Sequence, residues 1–420
     1  MNQLKELLIK YKVLVSNFSY LAVLQMITLL VPIVTLPHLF GVLGDTTWGV
    51  VVYAQAVVLY LGILVSFGFN ISATKDISVH RDNPSKISEI VSSVFILKGL
   101  LFIVSLFIIT ILIYTIPFFS DYKLLYFLSM WFCLYEFIFP IWYFQGLEKM
   151  KYITLINLGS RLIFLVLIFV LIRQQSDYIL VPVINGIGAL FSGLISMMII
   201  FKKDKVKFFI PSVSTLKFYF KESSPIFLSN LSQLYVKMNK IIIGPFIGVE
   251  AVAYYDVAEK ITSLMKVPIG LISQTVFPKI VKEKSLSFIQ KIFKLNLAIQ
   301  AVLLLIVIPT APYIVKFISG KDIPMAATAL VILSFTVIPV VINNTYAVQT
   351  LLAFDLKTYF TRAIVGSGIV YGIFILIMYL FDIWYLYGIC VAVLVSELAT
   401  SVLSYYYVKK NVYSQIKPIS

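Results

Sequence analysis

Apolar residues in this chain come in long unbroken runs separated by short polar gaps, not in the one-sided stripes of a surface helix. Each run is about 20 residues or longer, the length that crosses a hydrocarbon core about 30 Å thick. Twelve spans are predicted, at roughly 15–40, 48–72, 88–116, 122–145, 151–173, 178–201, 222–247, 250–278, 289–315, 324–352, 359–381 and 384–408. Pro182, Pro225, Pro268 and Pro339 mark places where a helix is expected to kink or break, because proline removes a backbone donor. The first run is too long for the apolar region of a signal peptide and no small-residue cleavage site follows it, so it is expected to stay as the first helix.

Composition sharpens the class. The chain is 60% hydrophobic and 15% aromatic, with only 13% charged residues, far from soluble usage. An all-α integral membrane protein is therefore expected, since a helix satisfies its own backbone polar groups in lipid. Cys133 and Cys390 both fall in predicted spans, which leaves neither a disulfide framework nor a CxxC metal site; buried thiols are expected, with no metal and no cofactor. The longest gap, 202–221, is too short to fold a core of its own.

Charge adds an orientation. Lysine and arginine concentrate in the N-terminal arm, in every second loop and in the tail, most densely at Lys202, Lys203, Lys205, Lys207, Lys217 and Lys221. The opposite loops hold only Lys123, Arg173, Lys316 and Lys321. Both termini are expected in the cytoplasm. The net charge of +15 thus follows topology and not a nucleic-acid footprint, and the 202–221 run reads as a solvated inner loop facing lipid headgroups.

Six spans, the basic loop and six more spans suggest a duplication, with lobes at 1–205 and 206–420. "VLGDTTWGVVVYAQA" (42–56) and "FIGVEAVAYYDVAEK" (246–260) each close one helix, turn and open the next. At one constant offset Gly44 matches Gly248, Ala54 matches Ala258 and Leu43 lies beside Ile247. Repeats that start on the same side are related by an axis along the membrane normal, which leaves a central cavity between two lobes.

Several ionisable residues lie where lipid should exclude them. Lys98, Arg161, Lys237 and Lys266 are deep in apolar segments, with Lys240 and Lys260 nearer an end; Glu136, Asp256, Glu259 and Glu397 are the acids of the same zone. A basic residue at a helix centre costs about 2.5–3.5 kcal/mol, so such groups normally face a wet cavity or a partner. Asn230, Gln233, Lys237 and Lys240 recur on one face of the seventh helix. Asp256, Lys260, Ser263 and Lys266 repeat the pattern on the eighth, and Gln25, Thr28, Pro32 and Thr35 line the first.

The candidate substrate-binding set is therefore Lys237, Lys240, Lys260, Lys266, Arg161, Lys98, Gln233 and Gln25, with Glu136, Asp256, Glu259 and Glu397 for ion coupling or charge pairing. Structural readings stand beside these. Lys98 and Arg161 neutralise Glu136 in a packing cluster if their equal depth brings them together, and Lys240 is near enough to an end to snorkel. Asn343, Asn344 and Gln349 suit either sugar hydroxyls or helix packing. A cationic, low-dielectric cleft favours an anion, and phosphate suits lysine and arginine. A lipid carrying a pyrophosphate and a glycan places its headgroup there and its chain in the bilayer.

The sequence resembles the Wzx-type polysaccharide flippases of the multidrug/oligosaccharidyl-lipid/polysaccharide exporter superfamily. The likeness is carried by "FSYLAVLQMITLLVPIVTLPHLFGVLG" near the start, "FGFNISATKDIS" at 67–78, "WYFQGLEKMKYIT" at 142–154, "YYDVAEKI" at 254–261 and "QTVFPKI" at 274–280. It implies a MATE-like carrier of twelve helices in two six-helix lobes, moving undecaprenyl-pyrophosphate-linked O-antigen or capsule units across the bacterial inner membrane by alternating access. The glycan-bearing lipid and the bilayer are the implied partners, with a glycan polymerase and a ligase as further candidates. A multidrug or other small-molecule exporter of the same superfamily is the rival, and it predicts an acid-dominated cavity. A membrane enzyme needs catalytic acids or histidines on sizeable outer loops, whereas only His38 and His80 are present, so no catalytic residue is assigned.

Overall fold

The computed structural model describes residues 2–231 and 238–413. All regular structure among them is helical. The chain divides into two compact units, Met1–Leu231 and Ser232–Ser420. The first unit holds α1 (Asn2–Ser66), α2 (Phe69–Val79), α3 (Pro84–Thr115), α4 (Pro117–Ser120), α5 (Lys123–Ser129), α6 (Trp131–Ile138), α7 (Ile141–Gly146), α8 (Met150–Leu171), α9 (Leu180–Met197) and α10 (Val213–Leu231). The second holds α11 (Asn239–Phe246), α12 (Val249–Glu283), α13 (Leu286–Ser319), α14 (Pro324–Ser334), α15 (Val337–Asn343), α16 (Lys357–Leu380) and α17 (Leu386–Val408). The division falls beyond residue 205 because α10, which begins at Val213 inside the predicted 202–221 loop and carries Lys217 and Lys221, packs on α2 and α3.

Nine stretches among the described residues are long and apolar enough to cross a membrane. The first, Val23–Val79, takes in two predicted spans, because α1 runs through a non-helical residue at Gly44. Predicted spans seven and eight are not among the nine. The seventh includes residues outside the described set, and the eighth is α12, whose apolar run is interrupted by Asp256, Glu259, Lys260 and Lys266.

Local chemistry explains most boundaries. Asn83 caps α3 by accepting from the Lys86 amide, with Pro84 following where no donor is needed. Ser285 caps α13 in the same way, and Gly320, in the left-handed region, ends it. Of the four prolines flagged as breaks, Pro182 and Pro339 lie in the first turns of α9 and α15, where proline is tolerated. Pro225 and Pro268 lie inside α10 and α12, which continue through them. The fourth predicted span is instead split into α5, α6 and α7, at Met130 and at Pro140. The core of the first unit gathers Phe69, Ile77, Trp142, Phe144 and Ile153, all shielded, while Phe107, Leu305 and Phe317 point outward as lipid-facing side chains should. Cys133 and Cys390 are free and buried, as expected of structural thiols.

Candidate functional site

Arg161 provides the clearest site geometry in the first unit. It belongs to a stripe on α8 with Asn157 and Ser160, residues one turn apart that face the same way. The stripe meets Trp131 and Tyr135 from α6 and Asn185 from α9 around a cavity of about 90 Å³. That is room for about three waters. The small residue at 188 lets α9 come close, since a Cβ there would sit 2.5 Å from the Ser160 hydroxyl. Tyr135 donates to Asn157 Oδ1 at 2.8 Å, and the Asn157 amide donates back to the Ile153 carbonyl at 2.9 Å. Arg161, with five donors in a fixed fork, has no carboxylate partner among the described residues. The Trp131 indole N–H, on the same cavity, is buried without an acceptor. The cavity thus sets a guanidinium and an unpaired indole donor beside the hydroxyl and amide groups of Ser160, Asn157 and Asn185.

Lys98 is arranged differently. Its side chain is fully buried, and its ammonium donates to the Glu136 carbonyl at 2.8 Å and to Asn70 Oδ1 at 3.3 Å, with the Glu136 carboxylate at 3.9 Å. Asn70 in turn donates to Glu136 Oε2 at 3.4 Å and to Ser66 at 3.2 Å. Equal depth does bring Lys98 and Glu136 together, as a compensated packing cluster of α2, α3 and α6.

In the second unit two lysines are compensated by two acids. Lys240 lies 2.7 Å from both Asp256 Oδ1 and Glu259 Oε2, and Lys260 lies 2.6 Å from Asp256 Oδ2. Lys240 therefore reaches inward to α12 and does not snorkel. Glu259 and Lys260, adjacent and pointing apart, are each satisfied by a different partner. Lys266 stands in the field of Glu397 and Glu259 without an ion-pair contact to either. Glu397 on α17 accepts from the Asn343 amide at 2.7 Å, and Ser401 donates to Asn343 Oδ1 at 2.9 Å. Asn343 is thereby committed to joining α15 and α17. Gln349 donates to Ser273 at 3.5 Å within the π-helical turn Asn344–Leu352, a geometry frequent at functional positions.

Of the remaining candidates, Gln25 is exposed on α1, and Thr28 and Thr35 spend their hydroxyls on carbonyls of their own helix. Gln233 and Lys237 lie outside the described residues. Sequence reasoning missed Asn70, Tyr135, Asn157, Asn185 and the indole of Trp131. The spacing of Asn157, Ser160 and Arg161 was a readable signal, whereas Asn70 and Trp131 join their clusters only through helix packing.

Comparison with known proteins agrees with this architecture. The chain is 26% identical over 402 residues to a protein of Escherichia coli (strain K12) named "Putative O-antigen transporter", covering 94% of this chain and 96% of that protein. A protein of the same name from Shigella dysenteriae is 27% identical over 394 residues, 91% of this chain and 96% of that one. Among solved structures it resembles a multidrug resistance MATE family transporter of the MOP superfamily in an inward-facing conformation, with a TM-score of 0.74 at 14% identity over 93% of this chain and 96% of that one. It also resembles the lipid II flippase MurJ in an inward closed conformation, with a TM-score of 0.71 at 15% identity over 92% of this chain and 87% of that one. These structural likenesses establish the all-α, MATE-like fold. The resemblance to Wzx-type flippases read from the sequence is borne out at the level of family: residues 14–284 match the family described as polysaccharide biosynthesis protein, and the chain belongs to it.

Proposed function

We propose that this protein is a flippase for lipid-linked polysaccharide units, and that its substrate is an undecaprenyl-pyrophosphate-linked oligosaccharide moved from the cytoplasmic to the periplasmic leaflet by alternating access. Family membership and the names of its relatives support the class of cargo. The observation that carries the site is Arg161. A half-buried guanidinium with no carboxylate partner among the described residues, beside a buried indole donor without an acceptor, calls for an oxygen-rich anion or a sugar oxygen. The cavity has room for one phosphate-sized group, so Arg161 grips one end of the headgroup and does not enclose the whole. Lys240, Lys260 and Lys98, matched by acids, hold the frame; Lys266, Lys237, Gln233 and Gln25 are the further substrate contacts in this reading. Asp256, Glu259 and Glu136 act as charge partners, and Glu397 is the acid available for ion coupling. Both termini lie in the cytoplasm of a bacterium, the protein sits in the inner membrane, and a glycan polymerase and a ligase take over its product.

The test is translocation of labelled polyprenyl-pyrophosphate oligosaccharide in proteoliposomes. Arg161→Ala is expected to lower the rate about 10- to 150-fold, the range for losing a charge-assisted contact of about 1.5–3 kcal/mol, and Arg161→Lys to recover part of it. Wild-type rates in Arg161→Ala would remove the site assignment; a wild-type protein inactive under every gradient would remove the function.

A further inference from the structure

The first unit carries a second cavity, of opposite chemistry. It measures about 530 Å³ and is lined only by apolar residues, among them Phe95 and Ile103 of α3, Phe137 of α6, Met197 of α9, and Phe201 and Phe208. It shares no residue with the Arg161 cavity. Ile103 and Phe208 are well exposed, 62% and 53%, so the groove is open to the membrane. Its volume falls in the range of about 300–1,000 Å³ that takes a drug-sized ligand. One acyl chain is of that size, whereas a long polyprenyl chain is not.

One end of this groove is basic. The chain leaves Phe201 through Lys202 and Lys203 and then lies back along α3, where the Lys207 amide donates to Ser88 and the Phe209 amide to Ser92, both at 3.1 Å. Ser88 and Ser92 are one turn apart, and Phe95, Gly99 and Ile103 continue the same face upward into the groove. The lysine-bearing segment is therefore fixed directly beneath the apolar slot. The acid of the segment is already used, since Asp204 accepts from Tyr143 and Lys149, both at 2.8 Å. Lys203 is engaged by the Tyr152 hydroxyl. Lys202, Lys205 and Lys207 are exposed and have no carboxylate partner among the described residues. Topology alone accounts for lysines in an inner loop; it does not account for their being pinned to the mouth of a groove.

We propose that this groove is a binding site for an anionic phospholipid of the leaflet on the lysine-bearing side, with an acyl chain between α3 and α9 and the phosphate among Lys202, Lys205 and Lys207. Basic pockets between membrane helices recognise phosphate headgroups by this charge complementarity. The site is independent of the cargo carried elsewhere, and it makes the lipid a resident ligand and not a substrate.

Native mass spectrometry of the full chain in detergent, titrated with phosphatidylglycerol, phosphatidylcholine or polyprenyl phosphate, tests it. Wild type is expected to retain phosphatidylglycerol about ten-fold better than phosphatidylcholine, a preference consistent with several lysines acting near one phosphate. The triple variant Lys202→Gln, Lys205→Gln, Lys207→Gln, altered only at exposed positions, should lose that preference while melting like wild type. Ile103→Trp, which fills the slot, should weaken retention of both phospholipids. Equal retention of the two by wild type, or an unchanged preference in the triple variant, would overturn the proposal. So would displacement of phosphatidylglycerol by equimolar polyprenyl phosphate, which would assign the groove to the carrier lipid.

Discussion

Asp256 receives Lys240 at 2.7 Å and Lys260 at 2.6 Å with 2% of its surface exposed, so one carboxylate compensates parts of two ammonium groups inside the second unit. Removing it leaves the largely shielded Lys240 and the half-exposed Lys260 with a single acid between them, and breaking a buried pair costs up to about 3–5 kcal/mol. Asp256→Asn is therefore expected to lower the thermal unfolding midpoint of the detergent-solubilised protein far more than Glu259→Gln. Glu259 is 36% exposed on its side chain and touches Lys240 alone, so its loss costs about 1 kcal/mol or less. Equal losses from the two variants would mean that burial does not decide the strength of this network. The same residues show what a sequence reveals about charges. Depth along a helix can be counted from its ends, and it groups Lys98, Arg161 and Glu136, of which only Lys98 and Glu136 meet. Direction around the axis relative to neighbours cannot be counted, and it sends Arg161, at the same depth, into a cavity between α6, α8 and α9 and away from that pair.

Gly44 and Gly248 occupy corresponding places in the two halves, each between one helix and the next. Their backbones agree as well: φ 74, ψ 171 at Gly44 and φ 121, ψ 159 at Gly248. Only glycine enters that region freely. An added Cβ would meet nothing within 4 Å at either position, so the requirement is conformational and not a matter of space. Gly44→Ala and Gly248→Ala should each destabilise by about 1–3 kcal/mol, the cost of a side chain held in such a conformation. Gly270→Ala, in open space inside α12, should be neutral or slightly stabilising. A neutral Gly44→Ala in the same melting assay would remove the conformational argument. Here the sequence was informative, because a glycine repeated at one offset reports a backbone need that nearby residues cannot mask. Proline was a poorer guide. Pro268 passes through α12 without ending it, while the fourth predicted span breaks at Met130, where no sequence signal stands, because packing and not local propensity sets those ends.

At the scale of the whole molecule, composition settles the solvent: a chain 60% hydrophobic and 13% charged is built for lipid, and the spacing of its lysines predicts that they gather on one side. That placement has an energetic consequence for the proposed cargo. With an inside-negative potential, each negative charge carried outward gains about 2.3 kcal/mol per 100 mV, close to a fifty-fold shift in its distribution. The basic residues of the chain stay behind when the headgroup leaves, so what the field acts on is the charge that crosses. An anionic glycolipid should then be exported faster and further under an inside-negative potassium diffusion potential than at zero potential, and an inverted potential should slow it. A polyprenyl-linked glycan with an uncharged linkage separates this drive from any effect of voltage on the protein itself, and its export should respond little to either sign. The comparison is made in vesicles whose protein faces one way, scored by protease access to the lysine-bearing segment before α10. Equal voltage dependence for charged and uncharged cargo would place the sensitivity in the helices and remove the headgroup as the charge that is moved.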